Sequence, residues 1–484
     1  MQQLNWLLIA EICYFLLVLA VCIRIVYDTR TSTKTLAYLL MAIFVPLAGI
    51  IIYFSFGINY RKRKMYSKKL VEDEALFAEL QRRISYGSEK VIARWGDEDQ
   101  GQQKIARLLV KDGMSPLTLK NEVKLLVNGE EKFPAVLEAL QAARHHIHIA
   151  YYIYEDDEIG NTIKDILIQK AQEGVEVRFM YDDFGSNRIG RKLVPALKAA
   201  GVEAYPFYKI HFWLLANRLN YRNHRKMIII DGQQAFVGGI NISDRYANGE
   251  QTPLYWRDTH LMIRGSGIFY LQYLFFCDWN FCAETTLLPE QQYFRYPESD
   301  LPDTLVQIAA SGPDSSRPTI MLSILEAIYA AREELLITTP YFIPGDGILD
   351  ALTSAALGGV RVRLLVPGIS DSIFVNLAAK SYYEDLLEAG VEIYRYKKGF
   401  IHAKTMVVDR SMAMVGTANM DYRSFELNFE VNAILYNTEL ATQLAAQFET
   451  DIQEADHLES ARWLKRSRGK QLLEKTARLL SPLL

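Results

Sequence analysis

The sequence predicts an α/β protein made of two lobes, each a mixed, mainly parallel sheet flanked by helices. The lobes are expected to face each other about a pseudo-twofold axis and to follow an N-terminal two-helix transmembrane hairpin. Three observations carry this. His224-Arg-Lys226, with Asp231, Gly238 and Asn241, recurs 178 positions later as His402-Ala-Lys404, with Asp409, Gly416 and Asn419, every internal offset unchanged. Strand-like runs precede both copies in the same order, and two long apolar runs open the chain.

Taken in order, Leu4 to Val26 and Leu36 to Phe56 are apolar runs of 23 and 21 residues, each able to cross a hydrocarbon core of roughly 30 Å as a helix. A cleaved signal peptide is the competing reading, but no basic residue precedes Leu4 and a second run follows at once. Glu11 is costly within a span and is expected to reach the interface or to pair across helices. Arg61-Lys-Arg-Lys64, Lys68 and Lys69 follow the second run, against Arg24, Arg30 and Lys34 around the loop, where Asp28 offsets one. That bias predicts cytoplasmic ends and cytoplasmic lobes, and the same cluster would attract anionic headgroups. Residues 1–60 thus read as the hairpin and 61–115 as a basic juxtamembrane connector packed on the first lobe.

Lobe one is expected over 116–295, opening with a hairpin signal at Val127-Asn-Gly129. Its runs are His148 to Tyr154, Gly174-Val-Glu-Val-Arg178 and Ala200-Gly-Val-Glu203. Lobe two, over 296–484, repeats them as Leu335 to Phe342, Gly359-Val-Arg-Val-Arg363 and Ala389-Gly-Val-Glu392, with a junction near Pro289 to Pro302. Strands alternating with helix-length segments predict parallel pairing, and so long a period means a duplicated domain rather than a solenoid. From Leu458 to Leu484, seven basic residues face two acidic ones among interspersed leucines. This segment reads either as a helix on the membrane surface or as one packed on lobe two.

The motif has a chemical use. Strand alternation puts His224 and Lys226 on one face, and His402 and Lys404 likewise. Facing lobes would combine two imidazoles with two ammonium groups, a set suited to phosphodiester chemistry with no metal and no cofactor. One histidine attacks phosphorus and the other protonates the departing alcohol. The lysines, with Asn241 and Asn419, would hold the non-bridging oxygens. A phosphohistidine is the implied intermediate. Asp231 and Asp409 complete the catalytic motif, although their opposite parity makes them turn residues or indirect supports. Asp258, in Trp256-Arg-Asp, and Glu430, in Asn428-Phe-Glu, are the candidates to orient the imidazoles through Nδ1. His145, His146 and His148 lack partners at zinc-like spacing, and Cys13, Cys22, Cys277 and Cys282 define no framework. Phe207 to Leu219 is a candidate lipid-contacting loop, whereas Tyr151, Tyr152 and Tyr154 read as core.

These residues resemble the phospholipase D superfamily and, more narrowly, the bacterial cardiolipin synthases. The likeness runs through Asn223-His-Arg-Lys226, Gly238-Gly239 and Asn241. In the second half it runs through Ser311-Gly-Pro313, Thr338-Thr-Pro-Tyr-Phe342, Phe400-Ile-His-Ala-Lys404, Gly416-Thr-Ala-Asn419-Met-Asp421-Tyr-Arg423-Ser424 and Leu427-Asn-Phe-Glu430. The resemblance implies a multi-pass protein of the bacterial cytoplasmic membrane whose substrate is an anionic phospholipid. It would move a phosphatidyl group from one phosphatidylglycerol to another, giving cardiolipin and glycerol, with His224 as nucleophile and His402 as acid. Phosphatidylethanolamine could replace one partner with the same chemistry. Gly238-Gly239 departs from Gly416-Thr417, so the first motif lacks a hydroxyl that could touch phosphate or hold the histidine. The alternative is a membrane-bound hydrolase that resolves the same intermediate with water. A nuclease would carry a basic groove; the net charge is −3 and the positive excess flanks the membrane and the C-terminus, so no nucleic acid is expected. A non-catalytic membrane module would not need two intact motifs. One chain can complete the site, so no dimer is required.

Overall fold

The computed structural model describes residues 6–29, 32–54, 74–95, 100–207, 221–249, 252–295, 300–479 and 481. The chain divides into an N-terminal unit and a larger unit that holds both motifs. The basic cluster Arg61–Lys69 and most of the Phe207–Leu219 loop lie outside the described residues.

In the N-terminal unit, helix Trp6–Asp28 is long and apolar enough to cross a membrane. Its 23 residues extend roughly 35 Å, and Glu11 is exposed on it. The second apolar run is not one helix. It is split into Ser32–Phe44 and Pro46–Ile52. Pro46 has no amide hydrogen and its ring collides with the preceding turn, so the first piece stops at Phe44 and Val45 leaves helical geometry at φ −134° and ψ 65°. A Cβ on Gly49 would lie 2.3 Å from the Met41 carbonyl carbon, so only glycine permits so close a return. The 13-residue piece covers roughly 20 Å, short of a full crossing. Asp28 closes the unit, accepting from the Tyr53 hydroxyl at 3.2 Å and pairing with Arg24 at 3.5 Å.

Among the described residues, the larger unit holds two large sheets and two small two-stranded ones. The strands of lobe one are β1 (Asn121–Val127), β2 (His146–Tyr151), β3 (Glu176–Asp182), β4 (Glu203–Phe207), β5 (Met227–Ile230), β6 (Gln234–Gly238), β7 (Tyr255–Arg257) and β8 (Thr259–Gly265). Those of lobe two are β9 (Leu305–Ser311), β10 (Glu334–Thr338), β11 (Phe342–Ile343), β12 (Arg361–Pro367), β13 (Glu392–Tyr396), β14 (Gly399–Ile401), β15 (Thr405–Val408), β16 (Met412–Gly416), β17 (Met420–Asp421), β18 (Glu430–Tyr436) and β19 (Ala455–His457). The first sheet runs β1-β8-β6-β5-β2-β3-β4. The second, read from its other edge, runs β9-β18-β16-β15-β10-β12-β13-β19, the same order strand for strand with one strand added.

Both sheets are mixed, but the expectation that they are mainly parallel is corrected. Within the two large sheets only β2–β3–β4 and β10–β12–β13 run parallel and the remaining pairs are antiparallel, while the small β11–β17 and β7–β14 pairs are parallel. The reason is local. β5 turns into β6 within three residues, Asp231-Gly-Gln233, and so short a link can join only antiparallel strands. Asp231 and Gly232 take φ of 54° and 64°, and Asp409 and Arg410 take 48° and 50° at the matching turn. The hairpin expected at Val127-Asn-Gly129 is likewise absent: Asn128 begins helix Asn128–Ala142 directly after β1.

The connector also differs from expectation. Helix Gln100–Gly113 buries Ile105, Ala106 and Leu109 in the core of lobe two, with Ile320, Ile324 and Ile328 of helix Thr319–Ala330. Its apolar stripe matches that helix, so it belongs to lobe two rather than lobe one. Lobe one has its own core around Ile147, Ile149, Val177, Phe179, Ile228 and Ile230. At the C-terminus, helix Arg468–Arg478 packs beside helix Ile373–Lys380 of lobe two, burying Glu474 and Ala477 and leaving Leu472 and Leu473 exposed.

Candidate active site

The two motifs meet where β6 and β8 of lobe one pack against β16 and β18 of lobe two. Main-chain bonds fix the junction in a reciprocal way. β7 pairs in parallel with β14 just before His402, and Asn223 forms a parallel bridge with Phe429 just before His224. The His224 amide donates to the Phe429 carbonyl at 2.9 Å, and the His402 amide donates to the Arg257 carbonyl at 2.7 Å. Phe429 and Arg257 each precede a carboxylate. Each histidine is therefore clamped to the residue before the acid of the other lobe.

The acids consequently cross over. Glu430 of lobe two lies 3.0 Å from Nδ1 of His224, and Asp258 of lobe one lies 2.6 Å from Nδ1 of His402. Each lysine donates to the carbonyl of its own histidine, Lys226 at 2.8 Å and Lys404 at 2.6 Å. That contact uses one of three ammonium protons and leaves two for a ligand.

Burial governs the electrostatics. It holds His224 down to about 4, with Glu430 opposing and Lys226 adding to the effect. His402 falls to about 3 through burial and Lys404, opposed by Asp258. Both rings are thus neutral at pH 7, with the Nδ1 proton given to a carboxylate and the Nε2 lone pair free. Burial also lowers Lys226 to about 7 and Lys404 to about 8. For Glu430, burial favours the neutral acid, but His224, Lys226 and the Thr417 hydroxyl outweigh it and hold the group below the usual carboxylate range.

The Gly-Gly and Gly-Thr difference now has a cause. The Thr417 hydroxyl donates to Glu430 at 2.5 Å, so the hydroxyl of the second copy braces the histidine of the first. At the matching place in lobe one, a Cβ on Gly239 would lie 2.1 Å from an Asp258 oxygen. The shorter acid sits closer to its neighbour's backbone and leaves no room for a side chain. Asn428 adds a third donor to Glu430, at 3.2 Å.

Asp231 and Asp409 are not brought to the imidazoles, which corrects their grouping with the catalytic set. Asp231 lies five residues past Lys226, at the far end of β5, roughly 17 Å of extended chain. The Asp231 carboxylate accepts the amides of Arg144, His145 and His146 at 2.9, 2.7 and 3.0 Å. Asp409 accepts those of Arg332, Glu333 and Glu334 at 2.9, 2.9 and 2.8 Å. Each aspartate fastens the start of the strand that pairs with its motif strand.

Asn241 accepts from the Ile153 amide at 3.2 Å and donates to the Tyr246 hydroxyl at 2.7 Å. Its amide holds Tyr246, whose ring stands edge-on to His402 at 5.7 Å. Asn419 donates to Asp421 at 3.1 Å, and its Oδ1 is buried without a partner. His146 and His148 share Gln272 within the core, and among the described residues no group of three or more His, Cys, Asp or Glu is placed to hold a metal.

Several neighbours of the imidazoles were not legible beforehand. Tyr152 stands edge-on to His224 at 4.8 Å and Trp256 lies 5.6 Å from His402. Lys132 is fully buried, donating to the carbonyls of Ile240 and Asn241 at 3.3 and 3.2 Å. A lysine inside a helix reads as solvated, so nothing in the sequence signals it.

Two lobes with one strand order and paired His-Lys motifs at their junction define a phospholipase D-like protein. Residues 136–252 and 324–452 match the family model described as cardiolipin synthase, PLD-like domain, and residues 15–57 match a phospholipase D-nuclease N-terminal model. The chain belongs to this cardiolipin synthase family. It is 43% identical over 458 residues to "Cardiolipin synthase 2" of Bacillus anthracis, covering 94% of this chain and 88% of that one. It is 42% identical over 476 residues to "Cardiolipin synthase" of Alkalihalophilus pseudofirmus, covering 98% and 93%. Its fold is similar to that of a phosphatidylserine synthase from Haemophilus influenzae, with a TM-score of 0.59 at 16% identity over 79% of this chain and all of that one.

Proposed function

We propose that the protein is a membrane-anchored phosphatidyltransferase that joins two phosphatidylglycerols into cardiolipin and releases glycerol. The observation that carries this is the cross-braced pair of neutral imidazoles, each with a carboxylate on Nδ1 and a lysine beside it. Identity above 40% to cardiolipin synthases over nearly the whole chain selects the lipid.

In this reading the phosphodiester of the first lipid enters between the two Nε2 atoms, and Lys226 and Lys404 bind its non-bridging oxygens. With the phosphate anion bound, His402 takes up a proton at Nε2 from solvent; His224 Nε2 then forms a bond to phosphorus as the bond to the glycerol oxygen breaks, and His402 gives that oxygen this proton. Glycerol leaves. Neutral His402 then takes the proton from a hydroxyl of the second phosphatidylglycerol, whose oxygen attacks phosphorus, breaks the N–P bond and restores His224. Glu430 and Asp258 balance the positive charge each ring carries in turn. Lys404 and Lys226 both help to hold His402 neutral; a bound phosphate anion opposes them and raises its proton affinity. The choice of His224 as nucleophile rests on the family resemblance.

The lobes are proposed to be related by a pseudo-twofold axis, which the shared strand order and reciprocal clamps support. Helix Trp6–Asp28, with the paired helices Ser32–Phe44 and Pro46–Ile52, would anchor the chain as a hairpin. The basic run after residue 60 favours cytoplasmic lobes. Purified full-length protein in liposomes with labelled phosphatidylglycerol tests the reading. Cardiolipin with glycerol supports it, whereas phosphatidic acid alone means that water is the acceptor.

A further inference from the structure

Two residues before His224 stands Arg222, only 4% exposed. Its backbone is fixed, since its carbonyl accepts the Phe429 amide at 2.9 Å. Its guanidinium lies 4.6 Å from the ring of Phe184, a loop residue 47% exposed. Its Nη1 is buried with no hydrogen-bond partner. Asp182 and Asp183 act on its charge, but a buried donor without an acceptor is still costly and calls for an explanation. Asp182 gives Nη1 no hydrogen bond. Asp182 spends Oδ1 on the amides of Phe184 and Gly185 at 3.0 Å each, and Oδ2 on the amide of Asn223 at 3.2 Å. Residues 208–220, next in sequence, contain no Asp or Glu.

Position gives the guanidinium a target. Residues on either side of a parallel bridge share a face, so Arg222 and His224 lie on one side of the Asn223–Phe429 bridge. In lobe two the matching residue is Phe400, buried 6.0 Å from the His402 ring. The junction is therefore cationic beyond one histidine and aromatic beyond the other. Transfer between two lipids has the same asymmetry of need. The reacting phosphate occupies the lysines, while the acceptor brings a second phosphate that does not react and still carries its charge.

We propose that Arg222 binds this second phosphate, the unreacting phosphodiester of the acceptor lipid, and so favours lipid over water as acceptor. The inference rests on the phosphatidyl-transfer reading. Roughly 7 Å of extended chain separates Arg222 from His224, a distance comparable with the three-carbon bridge that joins the two phosphates of the product. The exposed Phe184 ring would then form the rim past which the headgroup enters.

The test separates reactions that need one phosphate from those that need two. Full-length Arg222→Gln and Arg222→Lys proteins in phosphatidylglycerol liposomes are assayed for exchange of labelled glycerol into phosphatidylglycerol and for cardiolipin formation. Exchange involves no second phosphate. For Arg222→Gln the expected result is exchange close to wild type, cardiolipin formation down roughly tenfold or more, and a larger share of phosphatidic acid, with Arg222→Lys partly restored. Retained exchange also shows that the variant has folded. A parallel fall in both reactions, mirrored in Arg222→Lys, would mean a structural role and overturn the proposal, as would no change in either. Cardiolipin formation that becomes insensitive to inorganic phosphate in Arg222→Gln, with product partition unchanged, would reassign the subsite to a free anion. Wild-type protein that yields only phosphatidic acid, with no glycerol exchange, would instead remove the transfer reading itself.

Discussion

Glu430→Gln is the most informative single change at the junction, because it removes a charge and keeps the shape. The glutamine oxygen can still accept from His224 Nδ1, now 3.0 Å from the carboxylate, so the tautomer survives. What disappears is the counter-charge for the ring once His224 carries positive charge. Opposite unit charges about 4 Å apart at an effective dielectric near 20 attract by about 4 kcal/mol. The Gln amide dipole recovers part of this, which leaves a loss of about 2–4 kcal/mol in the transition state, or roughly 30- to 1000-fold in rate. Because the acids cross over, this change in lobe two should strike the step that uses the histidine of lobe one. Rapid-quench trapping of labelled phosphoenzyme, run beside steady-state cardiolipin formation, reads that step directly. Asp258→Asn should instead slow the step served by His402. Turnover of Glu430→Gln within about threefold of wild type would refute the reasoning, since no arrangement of the same charges makes a loss that small.

Other predictions follow from the same geometry. Gly239→Ala forces a methyl to 2.1 Å from Asp258, and turnover should fall at least ~100-fold while circular dichroism stays native. Thr417→Ala removes one donor from Glu430 and should cost about 1 kcal/mol, with Thr417→Ser near wild type in the same assay. Asp231→Ala and Asp409→Ala each strip three amides of their acceptor. Both should lower stability by about 2–4 kcal/mol in denaturant titrations and leave the turnover of folded protein unchanged. The fold holds His224 and His402 near 4 and 3 against an ordinary 6.5, so the unfolded chain binds these protons first. Stability from the two rings is complete above pH 6.5 and is lost as pH falls toward those values. Thermal melts of His224→Gln and His402→Gln should therefore be less acid-sensitive than wild type. Turnover should also decline as pH rises through about 7 and about 8, where Lys226 and Lys404 lose their charge, and Lys404→Arg should move that limb upward.

The sequence revealed the pairing of the motifs through their repeated offsets, not through strand alternation: His224–Lys226 and His402–Lys404 lie just before β5 and β15, and each lysine donates to its own histidine's carbonyl. It could not reveal the crossover. Glu430 lies 206 residues from the histidine it braces and Asp258 lies 144 from its own, and parity along a strand names a face but not the partner opposite. The antiparallel hairpins were within reach, since Asp231-Gly232 is a turn signal between two apolar runs. The alternation of strands and helices upstream drew attention to the parallel half of each sheet instead. Pro46 was equally visible as a helix breaker, and the hydrophobic run masked it. Lys132 and Arg222 lay beyond inference, because a buried cation looks like any solvated one until its surroundings are known.

The crossover also changes what the duplication accomplishes. If each lobe carried both a histidine and its acid, one copy could drift while the other worked. Here lobe one supplies the acid for His402 and lobe two supplies the acid for His224, and each backbone clamp runs the same way. Neither lobe holds one complete imidazole–carboxylate unit. A change confined to one lobe therefore reaches the chemistry of the other. The tolerated differences are matched across the junction rather than within a lobe: a short acid stands against a bare glycine, and a long acid against a threonine that donates to it. Swapping only the acids, with Asp258→Glu and Glu430→Asp in one chain, should then fail even though composition is unchanged. The longer side chain has no space beside Gly239, and the shorter one gives up its bond to Thr417.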